Sequence, residues 1–295
     1  MRDSDHTAAV IAAAIGRAGQ LATLPEIALN VMRLAEDPMA TGEGLSVVLA
    51  SDPTLSARVL RIVNSAYYGV RREVTSISHA VSLLGFGAVK SVALAASLTR
   101  MFRGGAIGDT FSARELWRHS VAVATGARLL AARSGSVDGS EAFLAGLMHD
   151  VGIIIEMQAC RDGFVQVITG VAADPALDFR EAETAAIGAD HEEFGRSLCR
   201  AWRFPERLQF VSGFHHRPLD VPGEHQRLVA VVHIADHLAA RSALGYGRMV
   251  HAGAINEAVM ALAALTDADL EAVVRVLPEE VDAVFSVLSG EEVAA

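Results

Sequence analysis

Along most of this chain apolar residues recur at intervals of three and four, and no long segment alternates apolar with polar. That period predicts amphipathic helices and leaves no support for a sheet, so the expected fold class is all-α. Residues 8–35 have the helical spacing, interrupted near Gly19. Leu24-Pro25-Glu26 marks a helix start, with Thr23 as N-cap and Pro25 in the first turn, and Ile27, Val31 and Leu34 then share one face. Asp37-Pro38 ends that element. Leu45–Ala50 forms a short helix, and Ser51-Asp52-Pro53 caps the next, whose inner side carries Leu55, Val59, Leu60, Ile62 and Val63 with Arg58 and Arg61 outward. Asn64-Ser65-Ala66-Tyr67-Tyr68-Gly69 supplies the stop. Ser76–Leu84 is amphipathic again, and Gly85-Phe86-Gly87 turns the chain into Val89–Met101.

Arg103-Gly-Gly-Ala-Ile-Gly108 is the strongest boundary signal, three glycines in six residues. Nine of the eleven histidines follow it. The expected division is an N-terminal helical bundle over 1–104 and a second helical domain over 105–295. Ala252–Leu288 reads as two or three helices, with Asp267-Ala-Asp269 and Pro278-Glu-Glu280 as starts. No internal repeat is evident.

Composition narrows the function classes. Of 295 residues 52% are hydrophobic and 20% charged, the balance of a core-forming protein. Aromatics are only 5%, and alanine is abundant, which favours helices. A net charge of −10 argues against nucleic acid or an anionic membrane as partner. Asp52–Gly69 superficially resembles a DNA-reading helix-turn-helix, but without a basic cluster it is better read as bundle packing. The Gly-x-Gly at 85–87 lacks the third glycine and the preceding strand of a dinucleotide site. Apolar stretches such as Ala8–Ile15 and Val92–Leu98 fall short of a membrane span. No secretion signal opens the sequence, and Cys160 and Cys199 form no metal or disulfide pattern, so a reducing cytoplasm is expected.

The chemistry centres on residues 142–157, an apolar run that contains His149-Asp150. A buried carboxylate must be paired or hold a metal, and imidazole and carboxylate both ligate divalent cations. Gly152 is expected to let the chain turn after the pair. Each further candidate has an ordinary explanation alone: His119 on a helix of small residues, His191 after Asp190, His215-His216 before a proline, and Asp236 in an apolar helix. Five segments each offering a ligand are harder to dismiss together.

The order His119, His149-Asp150, His191, His215-His216, Asp236 resembles the HD superfamily of metal-dependent phosphohydrolases. That resemblance implies one metal held by His119, His149, Asp150 and Asp236, with His191, His215 and His216 holding a second or contacting phosphate. With Leu24-Pro25-Glu26, Ser51–Arg61, Asn64-Ser65-Ala66, Ile77–Ala80, Leu84-Gly85, Glu183, Gly188, Trp202, Pro205 and Arg217-Pro218 added, residues 17–240 resemble the HDOD domain. Such domains are bacterial, helical signalling modules, generally non-catalytic, and often found in cyclic-dinucleotide signalling.

The active cyclic-di-GMP phosphodiesterases of the related HD-GYP type carry a lysine where this chain has Ile153, and a Gly-Tyr-Pro after the paired histidines where it has Arg217–Gly223. The resemblance therefore implies a non-catalytic regulator that acts through signalling proteins, with a divalent metal ion as its cofactor. No receiver, GGDEF or EAL-like stretch is evident, so its input is expected from a separate molecule. Two alternatives stay open: a metal-dependent phosphodiesterase, and a sensor that binds a nucleotide or cyclic dinucleotide without cleaving it. Tyr67, Tyr68, Arg71 and Arg72 are the candidate partner-binding residues, because tyrosine and arginine dominate binding hot spots.

Overall fold

The computed structural model describes residues 2–18, 26–35, 37, 39–65, 68–70, 72–99, 101–102, 106–107, 111–250 and 254–289. Its helices fall into two compact units.

One unit holds α2 (Glu26–Ala35), α3 (Gly42–Ala50), α4 (Pro53–Val63), α5 (Ile77–Leu84) and α6 (Phe86–Leu98). Polar caps place the starts: Thr41, Asp52 and Ser76 each accept a backbone N–H two or three residues into α3, α4 and α5. Gly85, at φ 85°, makes the expected turn into α6, whose residues from Ser91 to Leu98 are buried. Arg58, read as outward, is half-buried, and its Nη1 donates to the Ala96 carbonyl at 3.3 Å.

The other unit holds α1 (Arg2–Ala18), α7 (Ala113–Ser134), α8 (Gly139–Met148), α9 (Val151–Ala159), α10 (Arg161–Ala173), α11 (Phe179–Ile187), α12 (His191–Ala201), α13 (Glu206–Phe214), α14 (Gly223–Arg241) and α15 (Glu257–Ala263). Within it α7 packs on α8 and α14, α12 on α9 and α13, and α1 on α9. The small residues of α7 permit the approach. A Cβ on Gly146 of α8 would lie 2.8 Å from the Ala124 Cα.

Three readings of the sequence differ from the structure. The linear division at 104 coincides nearly with the Met101/Phe102 cut, but α1 groups with the later unit because its apolar face lies on α9 and α12. The last helix, α16 (Asp267–Ser289), runs through Pro278, which starts no helix; residues from Pro278 onward group with α2–α6. A minimal antiparallel pair at the glycine-rich boundary, β1 (Ala106–Ile107) and β2 (Phe111–Ser112), with Ile107 opposite Phe111, leaves the all-α class as expected. Gly152 makes no turn: it lies inside α9, where any Cβ would overlap the His191 carbonyl and come within 2.7 Å of the Gly195 nitrogen. The glycine serves close packing of α9 on α12.

Candidate metal centre

The turn between α8 and α9 is His149-Asp150 itself. Asp138 caps α8 by accepting from the Glu141 N–H, and the helix ends on His149, whose Nδ1–H donates to the Gly146 carbonyl at 2.7 Å. That bond fixes the tautomer and leaves the Nε2 lone pair 3.0 Å from Asp150 Oδ2. His215, at the end of α13, repeats the device: Nδ1–H donates to the Val211 carbonyl at 3.2 Å, and Nε2 stands 3.3 Å from Asp150 Oδ1. His191 opens α12 behind the Asp190 and Glu193 capping box, with its Nε2 3.7 Å from Asp150 Oδ1 and 3.1 Å from His216 Nε2. From α7 and α14, His119 Nε2 meets Asp236 Oδ1 at 2.9 Å and lies 3.9 Å from Asp150 Oδ2. His216 Nδ1 is 3.9 Å from Asp236 Oδ2. Asp150 thus lies within 4 Å of ring nitrogens of His119, His149, His191 and His215, and Asp236 and His216 adjoin that group.

Burial is nearly complete: His119, His149, His191 and His215 are 0% exposed, and Asp150 and Asp236 1%. Burial alone would raise both aspartates, but the surrounding imidazoles more than reverse it. With no cation, a proton on Nε2 of His149 and of His215 holds Asp150 well below the ordinary carboxylate range, and protonated His119 with His149 lowers Asp236; a bound cation would take the place of those protons. Burial, reinforced by the neighbouring His215 and His191, lowers His216 well below its usual value.

Several acceptors at the centre have no hydrogen-bond partner among the described residues: Nε2 of His149 and His215, both Asp150 oxygens, and Asp236 Oδ2. Buried acceptors left unsatisfied cost about 1–3 kcal/mol each, and two carboxylates beside one another add repulsion. Divalent cation binding would satisfy acceptors of this kind. Ligand atoms of His119, His149 and Asp150, of His149, His215 and Asp236, and of His191, His215 and His216 each lie within 4.8 Å of one another. The mixed imidazole and carboxylate set fits a borderline or hard divalent cation.

Two buried glutamates, Glu192 and Glu183, bond to the histidines, and a third, Glu156, is buried near Glu183. Glu192 accepts from the His216 N–H at 3.0 Å, Arg180 Nη1 at 2.6 Å and Arg217 Nε at 3.0 Å. Burial would raise it, yet His215, Arg217 and His191 bring it below the usual range. Glu183 accepts from the backbone and ring of His191. Glu156, 0% exposed on α9, is raised well above the ordinary range by burial and by the charge of Glu183. Sequence reasoning missed Glu156 and Glu192. A lone carboxylate closing the run Val151-Gly-Ile-Ile-Ile was the available signal for Glu156. Glu192 carries no such signal, because an acid in the first turn of a helix is ordinary.

A family model for the HDOD domain matches residues 21–218, a span that runs from the first unit through the paired histidines of this centre. The chain belongs to the HDOD family. A solved HDOD domain protein of unknown function from Geobacter sulfurreducens is similar over 92% of this chain and 93% of its own, at 26% identity and TM-score 0.77. A Shewanella amazonensis SB2B protein provisionally named a phosphohydrolase shares the fold over 95% and 98%, at 22% identity and TM-score 0.72. An uncharacterized Treponema pallidum (strain Nichols) protein is 22% identical over 232 residues, which are 78% of this chain; the match spans only 44% of that relative.

Of the four candidate partner residues in this HDOD protein, the structure describes two. Tyr68 is half-buried and Arg72 exposed, while Tyr67 and Arg71 lie outside the described residues. Asn64 is structural: its side chain accepts from the Val74 N–H at 2.7 Å and donates to the Val74 carbonyl at 2.8 Å. Gly139–Ala159, apolar and long enough to cross a membrane, is interrupted by the His149-Asp150 turn and 83% buried within the protein. It is a core element of the HDOD fold.

Proposed function

We propose that this HDOD protein is a signalling regulator built on a buried divalent cation, that it does not turn over phosphoesters, and that it acts by binding partner proteins. One observation carries the reading: the seven donors converge in a sealed place. Six are at most 1% exposed, and His216 alone reaches 11% at its side chain. A metal-activated water serves hydrolysis only where a substrate can meet it. Ile153, at 0% exposure, brings no charge to the site where active relatives are expected to use lysine. A sealed cation ties α7, α8, α12, α13 and α14 into one body, so that occupancy sets the stability of the surface partners bind. The free thiols Cys160 and Cys199 suit a reducing cytoplasm.

The charge at the rim favours a second reading, a sensor of nucleotides or cyclic dinucleotides. Arg180 and Arg217, with 27% and 39% of their side chains exposed, share the single Glu192 carboxylate beside His216. Both guanidiniums keep N–H groups that a phosphate could reach, although Asp178 and Asp190 also act on Arg180 and Glu193 lies near Arg217.

The test is elemental analysis of protein purified without chelator, followed by incubation with cyclic di-GMP and added manganese, iron or magnesium. We expect bound divalent metal and no linear dinucleotide. Metal-free protein that gains no stability from any added metal would remove the cation. Linear product that disappears in Asp150→Ala would overturn the non-catalytic reading.

A further inference from the structure

We infer that Glu183 is a positioning residue for the cation site: it commits His191 to one tautomer and aims the Nε2 lone pair at the metal. This inference rests on the metal reading above. His191 has no carbonyl anchor of the kind that serves His149 and His215. Its Nδ1 instead faces both Glu183 oxygens, at 2.9 Å from Oε1 and 2.8 Å from Oε2, and its backbone N–H donates to Oε2 at 3.1 Å. One carboxylate therefore fixes the ring, the tautomer and the first residue of α12 together. Glu183 and His191 are both 0% exposed, so water does not substitute for the bond.

The consequence falls on His216. The Nε2 atoms of His191 and His216 face one another at 3.1 Å. With Nδ1–H of His191 bound to Glu183, its Nε2 presents a lone pair there. With His215, these rings form one of the three donor groups. If His191 lost its anchor, the opposite tautomer would point a proton into that group and remove a ligand. Carboxylate partners of metal-bound histidines are commonly worth about 10- to 100-fold in affinity.

Glu183→Gln keeps the shape and removes an acceptor: one carbonyl oxygen must serve both the ring and the backbone N–H, while the amide N–H₂ opposes one of them. Two readouts separate this inference from the reading beneath it. In chelator-treated protein, long-range nitrogen–proton correlation spectra of the imidazoles report the tautomer without any metal. Wild type should show His191 protonated on Nδ1, and Glu183→Gln a mixture. Titration with cobalt(II), followed through its visible bands, should then show about 10- to 100-fold weaker binding in the variant, with altered bands. In a His191→Ala background Glu183→Gln should cost nothing further. Glu183→Asp keeps a carboxylate on a shorter arm, serves if the glutamine variant fails to fold, and should show the same mixture and intermediate affinity. An unchanged tautomer together with wild-type cobalt affinity in the variant that folds overturns the inference. Wild type that binds no cobalt overturns the metal reading and the inference with it, whatever the tautomer.

Discussion

His119 and Asp236, 117 positions apart in the sequence, meet at 2.9 Å with neither side chain in contact with solvent. The pair joins α7 to α14, and the Asp236 oxygen left over, Oδ2, finds no hydrogen-bond partner among the described residues. The packing of two long helices thus leaves a buried carboxylate oxygen that a cation could satisfy.

Chelation should therefore lower the melting temperature, and a divalent ion should restore it. A ligand present at a hundred times its dissociation constant stabilises by about 2.7 kcal/mol. At roughly 2–4 °C per kcal/mol for a protein near this size, the loss should be on the order of 5–10 °C by differential scanning fluorimetry. Asp236→Asn should melt at nearly the same temperature with and without chelator.

The buried Glu156 should make stability depend on pH in a defined direction. Burial and Glu183 raise its folded-state pKa well above the usual value. The folded protein therefore keeps a proton that the unfolded chain gives up above about pH 4.3. The resulting cost is absent below that pH and grows as pH rises toward the folded-state pKa. Glu156→Gln has no carboxyl to titrate, so it should be more stable than wild type at pH 8, by about 1–3 kcal/mol. The difference should vanish at pH 4; a constant difference across denaturant titrations at both pH values would contradict the account.

Gly152→Ala should be costly although alanine is the better helix former. Its Cβ would overlap the His191 carbonyl and crowd the Gly195 nitrogen, both backbone groups that yield only if α9 and α12 separate. We expect a loss of about 1–3 kcal/mol or more, with reduced metal content, because α12 carries His191. Wild-type stability and metal content would show that the helices move apart freely.

The turn after α4 should divide into structural and interactive residues. Asn64→Ala removes two bonds to the Val74 backbone and should destabilise by about 1–3 kcal/mol. Arg71→Ala/Arg72→Ala should leave stability within about 0.5 kcal/mol of wild type and reduce recovery of partner proteins from the native host. Equal recovery of the same partners would leave the turn with a structural role alone.

The sequence by itself determined most of the helices and which residues are the ligand candidates. Three- and four-residue periodicity is a local property, and the polar residues that end each run cap the helices where they stand, as Asp52, Ser76 and Asp190 do. The ligand candidates were legible because His149-Asp150 and Asp236 are charged or titratable groups inside apolar runs, which no soluble core tolerates without a partner. Partnership itself was not legible. His191 is held by Glu183, eight positions earlier; the Gly152 requirement comes from the backbone of another helix; and Glu192 serves His216 from 24 positions away. Likewise α1 joined the later unit, and α16 ran past Pro278 into the other, because apolar faces find their partners by shape and not by order along the chain. The tertiary structure decided these points, since each is a distance between segments the sequence separates, and a local pattern contains no such distance.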